Sequence, residues 1–177
     1  MSLASDQIKP QSYHFDDDGL IPNNPMPLLI YKRAVEVGRD GPAEAIEALF
    51  GRNGWGQMWR NGIFDYAHYH ATVHEALGVA RGHALVLFGG DQGEAIELTP
   101  GDVAVLPAGT GHKRLFASHD FQVVGAYPPG PEMQIMRPTP DNYRRALKTI
   151  PQVPLPQTDP VAGEDGPLMR LWGKSSH

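Results

Sequence analysis

Gly62-Ile63-Phe64-Asp65-Tyr66-Ala67-His68-Tyr69-His70-Ala71-Thr72-Val73-His74-Glu75 is the stretch on which the reading of the fold turns. Residues 63–70 read as a strand, in which side chains alternate between faces, so His68 and His70 project to one side together with Gly62, Phe64 and Tyr66. Glu75 follows His70 at an odd offset, which on one continuous strand would put it on the opposite face. Residues 71–74 are therefore expected to turn and to return the chain as a neighbouring strand, with Glu75 facing inward.

A second stretch, Gly101 to His112, carries Pro107-Ala108-Gly109-Thr110-Gly111, a reversal that starts another inward-facing strand at His112. Between and around the two stretches, short apolar runs are bounded by Gly or Pro. Strands are expected at 28–35, 55–60, 63–70, 75–81, 84–88, 95–98, 103–106, 112–116 and 121–127, with Asn61-Gly62 as a two-residue hairpin turn. Strands this short and this evenly spaced indicate a sandwich or barrel and not an α/β sheet.

The two stretches resemble the two motifs of the cupin superfamily. From Gly62 to Gly82 the spacing is Gly, five residues, His-x-His, four residues, Glu, six residues, Gly; from Gly101 to His112 it is Gly, five residues, Pro-x-Gly, two residues, His. One position departs, since Phe116 stands where the second motif commonly has Asn. Trp55, Trp59, Pro154-Leu155-Pro156, Asp159-Pro160 and Trp172 further resemble a subgroup of small bacterial cupins, the YjlB-like kind. The resemblance implies an all-β double-stranded β-helix, a jelly-roll-like barrel with a few short peripheral helices. It also implies one divalent transition metal on His68, His70, Glu75 and His112.

Three imidazoles and one carboxylate suit Fe, Mn, Ni, Cu or Zn, leave positions open for substrate, and disfavour Ca and Mg, which prefer oxygen donors. The chain has no Cys, so any metal must take nitrogen and oxygen ligands. A motif variant with one residue fewer would put the carboxylate's role on His74, the alternative to Glu75. The set points to a metal-dependent enzyme, an oxygenase or an isomerase, acting on a small oxygen-rich molecule. The alternative is a binding or sensing module that holds a small ligand without turnover. Tyr66 and Arg114 share the parity of the ligands and are the candidate catalytic residues, with Arg114 expected to anchor an anion or to form an ion pair. Phe64 and Phe116 are expected inside the barrel.

With 15 Lys and Arg against 20 Asp and Glu, the chain carries a formal charge of −5, which leaves no cationic excess for a phosphate backbone and excludes nucleic acid as a partner. No apolar run is long enough to span a bilayer and the N-terminus does not read as a signal peptide, so no membrane partner and a cytoplasmic location are expected. The length fits one domain. Residues 1–54 would form an arm, a strand and a short helix opened by Asp40-Gly41-Pro42; 55–128 the barrel; 129–177 a helix capped by Asp141 and a docked, extended proline-rich tail. Arm and tail look too long for one barrel to bury, which motivates the expectation of a homodimer.

Overall fold

The short apolar runs form nine strands in the computed structural model of the protein, which describes residues 8–175. The first residues of the expected arm, 1–7, and the last of the expected tail, 176–177, lie outside that range. The strands are β1 (Gln11–Tyr13), β2 (Leu28–Tyr31), β3 (Gly56–Asn61), β4 (Glu75–Arg81), β5 (Ala84–Phe88), β6 (Glu94–Leu98), β7 (Val103–Leu106), β8 (His112–Ala117) and β9 (Gln122–Tyr127). They make two antiparallel sheets, one ordered β1-β2-β7-β4-β9-β3 and the other β6-β5-β8. The architecture is the expected jelly-roll-like β-barrel.

Period-two alternation sorts each strand between two cores. Leu77 and Val79 of β4, Leu28 and Ile30 of β2 and Val123 of β9 meet Val86, Phe88 and Leu98 of the smaller sheet inside the barrel. Ala76 and Ala80, Leu29 and Tyr31, and Val124 and Ala126 face the other way. That outer face is covered by helix α1 (Pro42–Arg52), whose Ile46 and Phe50 are fully buried, and by the tail. Gly78 makes the first contact possible, since a Cβ there would lie 2.6 Å from Ile46 Cγ2. The central strands of the larger sheet are thus buried on both sides, and β4 runs among them beside β7 and β9.

Several local expectations are corrected. Residues 63–70 form no strand. Only isolated bridges, His68 with His112 and Tyr69 with Met136, tie this segment down. Asn61-Gly62 is not a hairpin, because neither residue has the positive φ such a turn demands, and β3 pairs with β9 instead. β2 stops at Tyr31, before Arg33 with its φ of 48°. Helix α1 begins at Gly41 with φ 66° and no side-chain cap, so Asp40 does not cap it. Thr139, and not Asp141, caps helix α2 (Pro140–Thr149), accepting from the Asn142 N–H at 3.2 Å.

The tail is not extended to its end. A third helix, α3 (Pro167–Ser175), follows a buried Asp159 whose carboxylate accepts the N–H groups of Val161, Ala162 and Leu168 and the Tyr31 hydroxyl. Leu168 and Trp172 enter the outer core, and the Trp172 indole donates to the Pro27 carbonyl at 2.9 Å. The tail and the described part of the arm pack on their own barrel, the arm through β1 against β2. Trp172→Ala should cost about 3–5 kcal/mol in urea unfolding, in the same single transition as the barrel. A separate, earlier transition for the tail would contradict this account.

Candidate metal centre

Three parts of the fold converge at one mouth of the barrel. His68 and His70 lie on the irregular segment that crosses between the sheets, Glu75 opens β4 in the larger sheet, and His112 opens β8 in the smaller one. The crossing segment is fixed by paired backbone bonds, His68 N–H to His112 O at 3.1 Å and His112 N–H to His68 O at 2.9 Å. On its other side Tyr69 and Met136 bond reciprocally at 3.0 and 2.8 Å. His68 and His70 keep a common face through this ribbon of contacts, although no strand forms. One nitrogen from each of His68, His70 and His112 falls within 4.8 Å of the others, and all three rings are buried.

Each imidazole is held in one tautomer by a main-chain carbonyl, which can only accept. The Nδ1–H of His68 donates to Tyr66 O at 3.0 Å, that of His70 to Gln134 O at 2.9 Å, and that of His112 to Thr110 O at 3.1 Å. In the neutral ring this leaves Nε2 with a lone pair available to a cation. Burial and the neighbouring His112 push His68 down to about 3, which keeps that ring neutral.

Glu75 Oε2 lies 3.2 Å from His70 Nε2, and Oε1 lies 3.4 Å from His112 Nε2. Oε1 is fully buried and makes no hydrogen bond. A carboxylate oxygen against an imidazole lone pair is repulsive unless something positive sits between them, either a proton or a metal ion. Bonds of about 2.0–2.2 Å to one ion bring neighbouring donors to separations of this size. The residues fit a metal on this ground. Burial opposes charge on His70, but the Glu75 carboxylate outweighs it, so His70 holds a proton more tightly than an ordinary His. Burial would raise Glu75, and the adjacent His70 and His112 rings instead hold it well below the usual carboxylate range.

Behind the carboxylate runs a chain of donors. The Trp59 indole N–H donates to the Tyr127 hydroxyl at 2.7 Å, which donates to Glu75 Oε2 at 3.0 Å. The register Ala76 to Ala126 sets Tyr127 of β9 beside Glu75 of β4. Gly125 admits the indole, since a Cβ there would fall 2.2 Å from Trp59 Cε2. Burial and the facing Glu75 raise Tyr127, so it stays protonated as a donor. Neither Tyr127 nor the carbonyl of Gln134 was singled out from the sequence, because no spacing connects them to the histidines.

His74 lies apart from this cluster. Its Nε2–H donates to Pro154 O at 3.1 Å, its Nδ1 accepts the Ala108 N–H at 2.9 Å, and its ring packs on Trp172 with centroids 4.9 Å apart. Both nitrogens are occupied by the backbone, so it braces the turn before His112 against the tail.

The two catalytic candidates are also placed outside the cavity above the cluster. Arg114 shares the inward face of Val86 at the open edge of β8, yet its guanidinium turns outward and lies 3.8 Å from Asp65, which avoids burying an unneutralised charge. Tyr66 stacks on Phe64 at 4.8 Å and lies under Arg137 at 3.8 Å. Its carbonyl serves His68, whose ring lies 5.6 Å from its own. A bulge at Leu115 reverses the parity of β8, so Phe116 points outward and is 56% exposed, and Phe64 stands at the rim, 42% exposed.

His74 is pushed down to about 4 by burial, against an ordinary 6.5. The unfolded chain takes up this proton before the folded one does, so the neutral ring's contribution is present above pH 6.5 and is lost as pH falls toward about 4. His74→Ala should leave the Ala108 N–H and the Pro154 carbonyl unpaired, cost about 1–3 kcal/mol per group, and flatten this part of the pH–stability curve in thermal melts. An unchanged curve would show that the ring titrates normally.

No protein-family profile matches the chain. It is 43% identical over 165 residues to YjlB of Bacillus subtilis (strain 168), described as uncharacterised, covering 93% of this chain and 97% of that one. Among solved structures it is similar to an acireductone dioxygenase from Bacillus anthracis with a cadmium ion in its active centre, at 21% identity and a TM-score of 0.36. That match covers 51% of this chain and 61% of the dioxygenase, less than two thirds of its length. The dTDP-6-deoxy-D-glucose-3,5-epimerase RmlC from Legionella pneumophila Philadelphia 1 is similar at 13% identity and a TM-score of 0.40, over 70% of this chain and 74% of the epimerase. Matched over nearly the whole length of that relative, with both cupin-like motifs on the expected barrel, the chain belongs to the family of YjlB.

Proposed function

We propose that His68, His70, Glu75 and His112 bind one divalent transition metal, iron, manganese, nickel, copper or zinc, and that the protein is a metal-dependent oxygenase or isomerase acting on a small molecule. The observation that supports this most is the pairing of free imidazole lone pairs with a buried, orphaned carboxylate oxygen at 3.4 Å. A metal bound there supplies Lewis-acid polarisation of a substrate oxygen and, if redox-active, a route for electrons. The chain's own residues set the frame. Three carbonyls orient the imidazoles, and Tyr127 orients Glu75.

A non-catalytic binding module is the second reading. One observation favours it: apart from the four ligands, the cavity above them is lined by no Asp, Glu, His, Tyr or Lys, so a general acid or base would have to come from the ligand set itself. Protein loaded with iron, nickel, copper or manganese should consume dissolved oxygen with a substrate, or the zinc form should interconvert one by NMR. Tight calorimetric binding with no turnover from any form would favour the module.

Metal analysis should give one ion per chain, lost in His70→Ala and in His112→Ala and retained in His74→Ala. Tyr127→Phe should weaken metal binding about 10–100-fold in chelator competition with the ion count at saturation unchanged. Since His70 holds its proton more tightly than the ordinary 6.5, affinity should begin to fall while pH is still above that value, and His68 should not contribute to the fall. Retention of metal in His112→Ala, or release in His74→Ala, would refute the ligand set.

A further inference from the structure

The cavity above the cluster has a volume of about 190 Å³, below the ~300–1,000 Å³ of pockets for drug-sized ligands. The four proposed ligands form its floor. Its walls are apolar: Ile63 and Leu77 are almost wholly buried, and Trp59 presents its ring because its only polar atom is bonded to Tyr127. Phe64, Met133 and Ile135 make the rim.

Arg60 is the only cation along this lining, and it is committed elsewhere. Its Nε and NH2 donate to Glu47 at 2.9 and 2.7 Å, and its NH2 to Glu44 at 3.1 Å. Asn61 turns its side-chain oxygen onto the Gly62 N–H at 2.8 Å. Arg114 is paired with Asp65 outside the cavity. A carboxylate or phosphate away from the floor would find no counter-charge, and a polyol would bury most of its hydroxyls against hydrocarbon, with the Asn61 amide N–H2 left along the walls to meet them.

We propose that the substrate is a small molecule whose oxygen donors, with any charge they carry, are confined to one end, which sits on the metal, and whose remaining body is apolar and no larger than about one ring. The expectation of an oxygen-rich molecule narrows accordingly, and sugars, phosphorylated compounds and dicarboxylates are disfavoured. Specificity resides in Trp59, Ile63 and Leu77 for the body and in Ile135 for the entrance, while the metal recognises the oxygens. This rests on the metal reading for the oxygen end, but the apolar body follows from the walls alone.

The test uses acetylacetone, malonate and dihydroxyacetone, three compounds that offer closely placed oxygens on apolar, charged and hydroxylated bodies. Binding is followed by tryptophan emission and calorimetry on zinc-loaded protein whose metal content is measured before and after. Acetylacetone should bind at least tenfold more tightly than either competitor, with metal retained. Ile135→Lys, a change at an exposed rim position, should reverse the order of acetylacetone and malonate. In protein stripped of metal, benzene should shift the methyl NMR signals of Ile63, Leu77 and Ile135. Preference of the wild type for malonate or dihydroxyacetone, or methyl signals indifferent to benzene, would overturn the inference. Failure to load zinc while benzene still shifts those methyls would instead overturn the metal reading and leave the apolar body standing.

Discussion

A carboxylate buried in the mouth of an apolar barrel is the constraint around which the rest is arranged. Removing Glu75 from water is costly unless opposite charge and hydrogen bonds replace the solvent. Tyr127 supplies one donor, the imidazoles of His70 and His112 lie within 3.4 Å, and Oε1 is left for a cation. Each partner comes from a different element. The register of β4 against β9, the bridge between His68 and His112, and the glycine that admits Trp59 are all needed for one side chain to be tolerated.

The same economy explains the apolar cavity above it. Side chains with polar atoms near the mouth are turned onto other partners, Trp59 to Tyr127, Arg60 to two glutamates, Arg114 toward Asp65. What faces the cavity is therefore hydrocarbon above a floor of nitrogen and oxygen donors. Such a site separates two kinds of recognition, directional at the floor and shape-based at the walls.

The periphery supports this mouth from outside the barrel. His74 ties the turn that carries Ala108 to Pro154 of the tail, and Trp172 closes over the same ring. The segment after β9 returns to give Gln134 O to His70 and Met136 to Tyr69. Tail and returning segment thus fix atoms one bond removed from the site. Among the described residues no helix is long and apolar enough to cross a membrane.

The barrel was legible in the sequence, because glycine- and proline-bounded runs are local properties of the chain, and the set His68, His70, Glu75 and His112 was what the resemblance to the two cupin motifs implied. Glu75 does open a new strand, but β4 is flanked by β7 and β9 and not by residues 63–70, so the expected return as a neighbouring strand does not hold. Parity failed where pairing was irregular. The bulge at Leu115 turned Phe116 outward, and residues 63–70 held their shared face through two bridges in place of a strand. Only the tertiary structure decided the tautomers of the histidines, the role of Tyr127, the retreat of Arg114 and the helix at Pro167–Ser175, whose first turn is bonded by Asp159. Each of these depends on a partner far along the chain or on the cost of burying a charge, and neither is written in local spacing.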